Sequence, residues 1–134
     1  MKITTFSALL LFMCIHVQAQ NLIGFNQKEI REYMKVHCSE MSYNNVVNEK
    51  FKYLKYSDNQ DNQTLLFFLD PDSVCRYMRL ICDRGLKPEK IKELDAMYTK
   101  SGDNKWIEKR DGKEYLIQVM DEKWSFIVTI EQKK

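Results

Sequence analysis

The same order of helix and strand patterns occurs twice along this chain, and this repetition constrains the fold more than any other feature. A helix pattern followed by three strand patterns covers residues 25–83 and again residues 86–131. The halves align at an offset of 61 through the helices, so that Ile30 falls on Ile91 and His37 on Tyr98. The offset is 50 through the later strands, so that Leu80 falls on Ile130. Few residues are identical, so either a duplication or two unrelated units of the same type explains the match.

Two such units predict an α+β fold. We expect two α-β-β-β units that form one mainly antiparallel sheet, with two helices packed on one face and the other face partly open. The predicted strands are residues 51–56, 64–69, 74–82, 106–109, 115–120 and 124–131. In the last of them, Trp124 is expected to line one face together with Phe126, Val128 and Ile130.

The start of the first helix has a complete set of signals. Asn26 and Glu29 have the spacing of a capping box, and Phe25 and Ile30 have that of a hydrophobic staple. Apolar residues then follow at helical spacing as far as Met41, which predicts a helix over residues 27–41. The second helix opens with Pro88 at its first position and is expected to end at residues 101–102.

The segment 74–82 fits either a strand or a helix. Asp70 as a cap, Pro71 at the first position and Gly85 as a stop describe a helix. In the alignment of the two halves, however, this segment falls on the strand pattern of residues 124–131. We therefore predict a strand.

The first 19 residues have the organisation of a secretory signal peptide. Lys2 precedes the apolar run 3–15, which is too short to span a bilayer, and Val17 and Ala19 are small residues in the positions that precede a cleavage site. A lipid anchor is not expected, because Met13 rather than a small residue precedes Cys14. We expect cleavage after Ala19 and a secreted or periplasmic protein.

Cleavage of 19 residues from 134 leaves a single domain of 115 residues, 20–134, with 20 basic and 19 acidic side chains. This near-balance argues against nucleic acid as a partner, because phosphate neutralisation needs an excess of clustered basic residues. No second long apolar run is present, so no transmembrane segment is predicted.

The mature chain contains three cysteines, Cys38, Cys75 and Cys82. Cys75 and Cys82 lie on one predicted strand, roughly 23 Å apart, which no disulfide can bridge. In an oxidising compartment this leaves Cys38 with Cys75 or Cys38 with Cys82. The alternative is three buried thiols that pack as small hydrophobic side chains.

The sequence contains no recognisable catalytic, cofactor-binding or metal-binding motif. His37, the one histidine of the mature chain, lies on the apolar stripe of the first helix, which favours a core or interface position. The predicted strands carry aromatic residues that suit a binding face, because Tyr and Trp offer a large contact area at low entropic cost. The candidates are Tyr53, Tyr56, Tyr77, Trp106 and Tyr115; the alternative is that they form the core.

Two stretches, Leu66 to Cys75 and Gly102 to Trp106, carry a resemblance to the small uncharacterised exported proteins common in Bacteroidetes. The duplicated helix-and-sheet plan is also similar to PepSY-type domains and to β-lactamase inhibitory protein, at the level of architecture only. Neither resemblance implies an activity. We therefore expect an exported, non-catalytic binding module for a protein or small ligand. The alternatives are a small envelope hydrolase and a carrier of a small apolar ligand.

Overall fold

The computed structural model describes residues 20–44 and 52–134. The predicted signal peptide and Phe51, at the start of the first predicted strand, lie outside the described residues. The first half consists of α1 (Gln27–His37), β1 (Met41–Asn44), β2 (Tyr53–Asp58), β3 (Gln63–Leu69) and β4 (Cys75–Asp83). A 3-10 turn, Arg84–Leu86, leads into the second half, which consists of α2 (Lys87–Met97), β5 (Thr99–Gly102), β6 (Lys105–Arg110), β7 (Lys113–Asp121) and β8 (Ser125–Gln132).

The eight strands of the described residues form one sheet in the order β1-β2-β3-β4-β8-β7-β6-β5. All neighbouring pairs are antiparallel, and the two halves meet where β4 pairs with β8. The order is the same when counted from either edge, so a pseudo-twofold axis passes between β4 and β8, where Arg79 lies opposite Thr129. The predicted α+β fold is confirmed, and the contested segment 74–82 is a strand.

Both helices pack on one face of the sheet, as predicted. Along each strand, side chains point alternately to the face that the helices cover and to the opposite face. On the covered face, each of β2, β3, β4, β6, β7 and β8 contributes at least one buried side chain. Trp106 of β6 donates a hydrogen bond from Nε1 to Asp95 of α2 over 2.9 Å. Met34 of α1 lines a groove together with Tyr56 of β2. These contacts place the main core between the two helices and the sheet.

The structure corrects both predicted helix ends. The capping box of α1 is present, with hydrogen bonds of 2.9 and 3.1 Å between Asn26 and Glu29. However, α1 ends at His37 rather than at residue 41, and Met41 begins β1. Similarly, α2 ends at Met97, and the expected end of this helix forms β5. Each half therefore has four strands, one more than predicted.

The two halves also align differently from the sequence-based offsets. Both helices have 11 residues and bury the fourth and eighth, which pairs Ile30 with Lys90 and Met34 with Leu94. The helix offset is therefore 60, not 61. Leu65 lies opposite Leu80, while Ile117 lies opposite Ile130. With Leu80 kept as the equivalent of Ile130, the offset from β3 to β7 is 52, not 50. A slip of two residues keeps each side chain on the same face, so periodicity does not reveal it.

The segment Asn21–Ile23 is buried and contacts both halves. The guanidinium of Arg110 donates to the carbonyl oxygens of Asn21 and Ile23 over 2.9 and 2.7 Å, and Asn21 donates to Glu108 over 2.8 Å. On the other half, the backbone N–H of Leu22 lies 3.2 Å from Sδ of Met78. Among the described residues, Asn21–Ile23 thus belong to the core and contact both halves.

Candidate binding surface

The sheet face opposite the helices carries three rows of residues across β2, β3, β4, β8, β7 and β6. We call this the open face. The first row is Tyr53, Phe68, Tyr77, Glu131, Leu116 and Ile107. The second row is Lys55, Leu66, Arg79, Thr129, Gln118 and Lys105. The third row is Ser57, Thr64, Ile81, Ile127 and Met120. Most of these side chains are partly exposed.

Three aromatic rings lie side by side in the first row. The centroid of Phe68 is 5.9 Å from that of Tyr53 and 5.4 Å from that of Tyr77. Cross-strand aromatic pairs at these distances stabilise one another and hold the rings in defined orientations. The first half of the open face therefore presents an ordered, half-exposed aromatic surface.

Arg79 lies in the second row, beside the pseudo-twofold axis. Its guanidinium carbon is 5.9 Å from the ring centroid of Tyr77. Its Nε is buried and has no hydrogen-bond partner among the described residues. Burying a charged donor without a partner is unfavourable. Because Nε is closed to solvent while Arg79 as a whole is half-buried, an acceptor from outside the domain would contact the guanidinium at its terminal Nη groups.

Of the five aromatic residues predicted for a binding face, the structure places only Tyr53 and Tyr77 on the open face. Tyr56, Trp106 and Tyr115 are buried on the covered face, so their prediction as exposed binding residues is wrong. Tyr56 packs edge-on against Phe67, Trp106 bonds to α2, and Arg110 lies over the ring of Tyr115. All three side chains are therefore occupied by contacts on the covered face and are not available to a partner at the open face.

Phe68 and Arg79 are surface residues that were not predicted from the sequence. Phe67 and Phe68 are adjacent in an apolar strand, and strict alternation places one ring in the core and the other on the open face. Burial shows that Phe67 is the core residue. The alternation can be read from the sequence, but the sequence does not show which of the two faces the helices cover.

Trp124 departs from its predicted place in the last strand. It precedes β8 in the turn after β7, and 79% of its surface is exposed. The ammonium of Lys123 lies 5.3 Å from its ring centroid. Met120, at the end of the third row, is also exposed. Met120 in β7 and Trp124 in the turn that follows this strand are therefore two exposed apolar side chains near the same end of the sheet.

Each of Cys38, Cys75 and Cys82 is buried and free, so neither predicted pairing of Cys38 is formed among the described residues. Burial raises the pKa of Cys38 to about 11 and the pKa of both Cys75 and Cys82 to about 12. The nearby positive charge of Lys90 opposes this rise in the pKa of Cys38 and of Cys82. Thiols with raised pKa values are poor nucleophiles at neutral pH, because the thiolate is the reactive form. They pack here as small hydrophobic side chains.

His37 is exposed on α1, which corrects the expectation of a core position. Its ring lies 4.5 Å from that of Tyr33. A groove of about 530 Å³ lies between the end of α2 and β5–β6, and another of about 360 Å³ lies between α1 and β1–β2. Neither of these two grooves is lined by His37 or by a cysteine. The structure therefore does not bring these candidate groups together with a carboxylate in either groove.

Within residues 20–44 and 52–134, no group of three or more His, Cys, Asp or Glu side chains is arranged to hold a metal ion. None of the helices there has the length and apolar character needed to cross a membrane.

Comparison with protein-family models, with curated proteins and with solved structures finds no match to this chain.

Proposed function

We propose that the protein is an exported, non-catalytic binding module that engages its partner through the open face. The observation that supports this proposal is the arrangement of half-exposed aromatic, aliphatic and basic side chains on one regular surface. Tyr53, Phe68 and Tyr77 provide rigid apolar area, and Arg79 lies beside them. Tyr and Arg are the residue types that contribute most binding energy at protein interfaces.

The dimensions of this face suit a protein partner. Six strands about 4.8 Å apart and three rows about 6.8 Å apart give roughly 600 Å² of surface. A typical stable interface buries about 800 Å² on each partner, so the open face provides roughly three quarters of that area. A small ligand is better accommodated by a concave pocket, which encloses most of its surface, than by a sheet face.

Export is supported by the signal-peptide pattern of residues 1–19 and by the position of the first buried residues. Asn21, Leu22 and Ile23 are core residues. Cleavage after Ala19 would leave all three in the mature chain. A mature protein beginning at Gln20 therefore retains the whole described fold.

The proposal is tested by capture of partners from the envelope fraction of the producing cell with immobilised mature protein. Phe68→Glu places a charge in the aromatic row and is expected to lower recovery of a specific partner at least about tenfold. The matched control is Val36→Glu, which makes a comparable change on α1, where Val36 is 72% exposed on the opposite side of the molecule. Recovery by this control is expected to equal that of the wild type.

Thermal unfolding of each variant establishes that the mature protein is folded, and Met120→Glu provides a second open-face change at an exposed position. If both open-face variants recover the same proteins as the wild type, the open face is not the binding surface. If Val36→Glu alone loses the partner, the helix side is the contact surface instead.

A further inference from the structure

Arg79 is a charged residue near the centre of the open face, and three of its four nearest neighbours on that face are apolar or aromatic. Across the strands it lies between Leu66 and Thr129, and along β4 it lies between Tyr77 and Ile81. A partner that covers these neighbours would also exclude water from the guanidinium. Exclusion of water strengthens a charge-assisted hydrogen bond and makes an unmatched charge costly. The partner must therefore supply an acceptor at this position.

The charges around Arg79 favour an anionic acceptor. Lys55 and Lys105 occupy the same row, at positions related by the pseudo-twofold axis. The ion pairs formed among the described residues involve other side chains, so these three cations are not neutralised within residues 20–44 and 52–134. Glu131, in the first row, is the one acidic residue of the three rows. The second row is thus complementary to negative charge.

A second copy of this chain does not meet this requirement. A face-to-face dimer with twofold symmetry brings the central residues of the two surfaces together. Arg79 of each copy would then approach Arg79 of the other, and each copy would bring one carboxylate, Glu131, against three cations, Lys55, Arg79 and Lys105. Like charges in a desolvated contact oppose association.

An anionic membrane also fits less well than a protein. Membrane surfaces attract freely exposed basic side chains and take up apolar side chains that project from the protein. Here Tyr53, Phe68 and Tyr77 are only partly exposed within a regular sheet, Nε of Arg79 is buried, and Glu131 lies in the adjacent row. This surface suits the close contact of another folded protein.

We infer that the partner is a protein whose contact surface presents an Asp or Glu carboxylate surrounded by apolar groups, and that Arg79 binds this carboxylate. The inference rests on the proposed binding function of the open face. The planar guanidinium donates to both oxygens of a carboxylate, a geometry that lysine does not reproduce. Tyr53, Phe68 and Tyr77 provide the apolar contact on one side.

A small probe tests the acceptor chemistry without a known partner. The mature protein is titrated with N-acetylphenylalanine, which has a free carboxylate, and with its amide, which is neutral. NMR signals of Arg79 Nε and of the amides of Leu66 and Thr129 are expected to shift with the acid, at least about fivefold more than with the amide. In Arg79→Leu the difference between acid and amide is expected to disappear. Equal shifts with both probes, or none with either, would overturn the inference.

Capture experiments separate this inference from the proposed function. Arg79→Leu is expected to weaken binding of the partner at least about 30-fold, because loss of one member of a buried charged pair is costly. The control Lys92→Leu removes a charge from the exposed surface of α2 and is expected to have no effect. If Phe68→Glu loses the partner while Arg79→Leu retains it, the open face binds but the carboxylate inference is wrong. If both variants retain it, both proposals are wrong.

Two further measurements identify the class of partner. Arg79→Lys places an amine at this position, and a zero-length carbodiimide is expected to couple it to an Asp or Glu of the bound protein, as located by mass spectrometry. Coupling confined to lysines of the helix side would contradict the inference. Sedimentation with phosphatidylglycerol-containing vesicles tests the membrane. Binding by the wild type that is lost in Arg79→Leu would assign this surface to anionic lipid instead.

Discussion

Ile30 in α1 and Lys90 in α2 occupy the same place in the two halves, since each is the fourth residue of an 11-residue helix and each is buried. Ile30 packs in the apolar core. Lys90 is only 4% exposed, and its ammonium lies 2.9 Å from the carboxylate of Glu93 one turn later. The equivalent of Glu93 in α1 is Tyr33. One helix position thus accepts an apolar residue or a charged one, provided that the following turn supplies the counter-charge.

The open face shows a second difference between the halves. Phe68 and Tyr77 in the first half correspond to Met120 and Ile127 in the second, and Arg79 corresponds to Thr129. The aromatic rings and the central cation therefore belong to the first half. The two halves share the same order of helix and strands, which forms the sheet. The side chains that differ between the halves place the proposed binding residues on one side of the pseudo-twofold axis.

The largest expected effect comes from exchanging the two helix residues. Ile30→Lys buries an ammonium in a helix that has no acidic residue at position 33, and it is expected to lower the free energy of unfolding by about 5 kcal/mol. Lys90→Ile is expected to change it by less than about 2 kcal/mol in either direction, because an apolar residue often replaces a buried ion pair without loss. Chemical denaturation of both variants measures this. Equal losses would contradict the equivalence of the two positions.

An intermediate effect is expected from alkaline pH. The pKa of Cys82 is raised to about 12 in the folded protein from 9.0, so the folded state retains its proton more strongly than the unfolded state. This contribution to stability is complete below pH 9 and is lost as pH rises towards 12. One such thiol lowers the free energy of unfolding by about 2 kcal/mol between pH 9 and pH 10.5.

The pH effect is expected to arise in the first half of the molecule, and a cysteine variant tests this. Cys38, Cys75 and Cys82 all belong to the first half. Denaturation of Cys82→Ala as a function of pH is expected to show a shallower decline above pH 9 than the wild type. An unchanged slope would mean that Cys82 does not contribute to alkaline sensitivity.

The smallest expected effect is that of Arg79→Leu on the stability of the isolated protein. Since Nε of Arg79 is buried without a partner among the described residues, its loss is expected to change the free energy of unfolding by less than about 1 kcal/mol. The same measurement on Thr129→Leu, at the equivalent position, provides the comparison. A large loss confined to Arg79→Leu would assign this residue a structural role rather than a binding role.

The class of fold could be predicted from the sequence because local signals agreed with it. The capping box of Asn26 and Glu29 started α1 correctly, and alternation located six of the eight strands. β1 and β5 were missed because each has four residues at an edge of the sheet, and β5 is exposed and polar. Edge strands of this kind form through pairing with a neighbour rather than through their own hydrophobic pattern.

The candidate surface was only half predictable. Phe67 and Phe68 are an odd number of positions apart in their strand, and so are Tyr53 and Tyr56. The alternation of side chains therefore places the two members of each pair on opposite faces. It does not state which face the helices cover. That information depends on contacts between distant segments, such as the hydrogen bond from Trp106 to Asp95 of α2.

The buried segment Asn21–Ile23 has a consequence for the order in which the molecule assembles. Its partners Glu108 and Arg110 lie 87 to 89 positions further along the chain. Contacts so distant in sequence require β6 to be in place, and closing such a long loop is slow. The hydrogen bonds of Asn21 and Ile23 to Glu108 and Arg110 can therefore form only after most of the domain has been synthesised and β6 has joined the sheet.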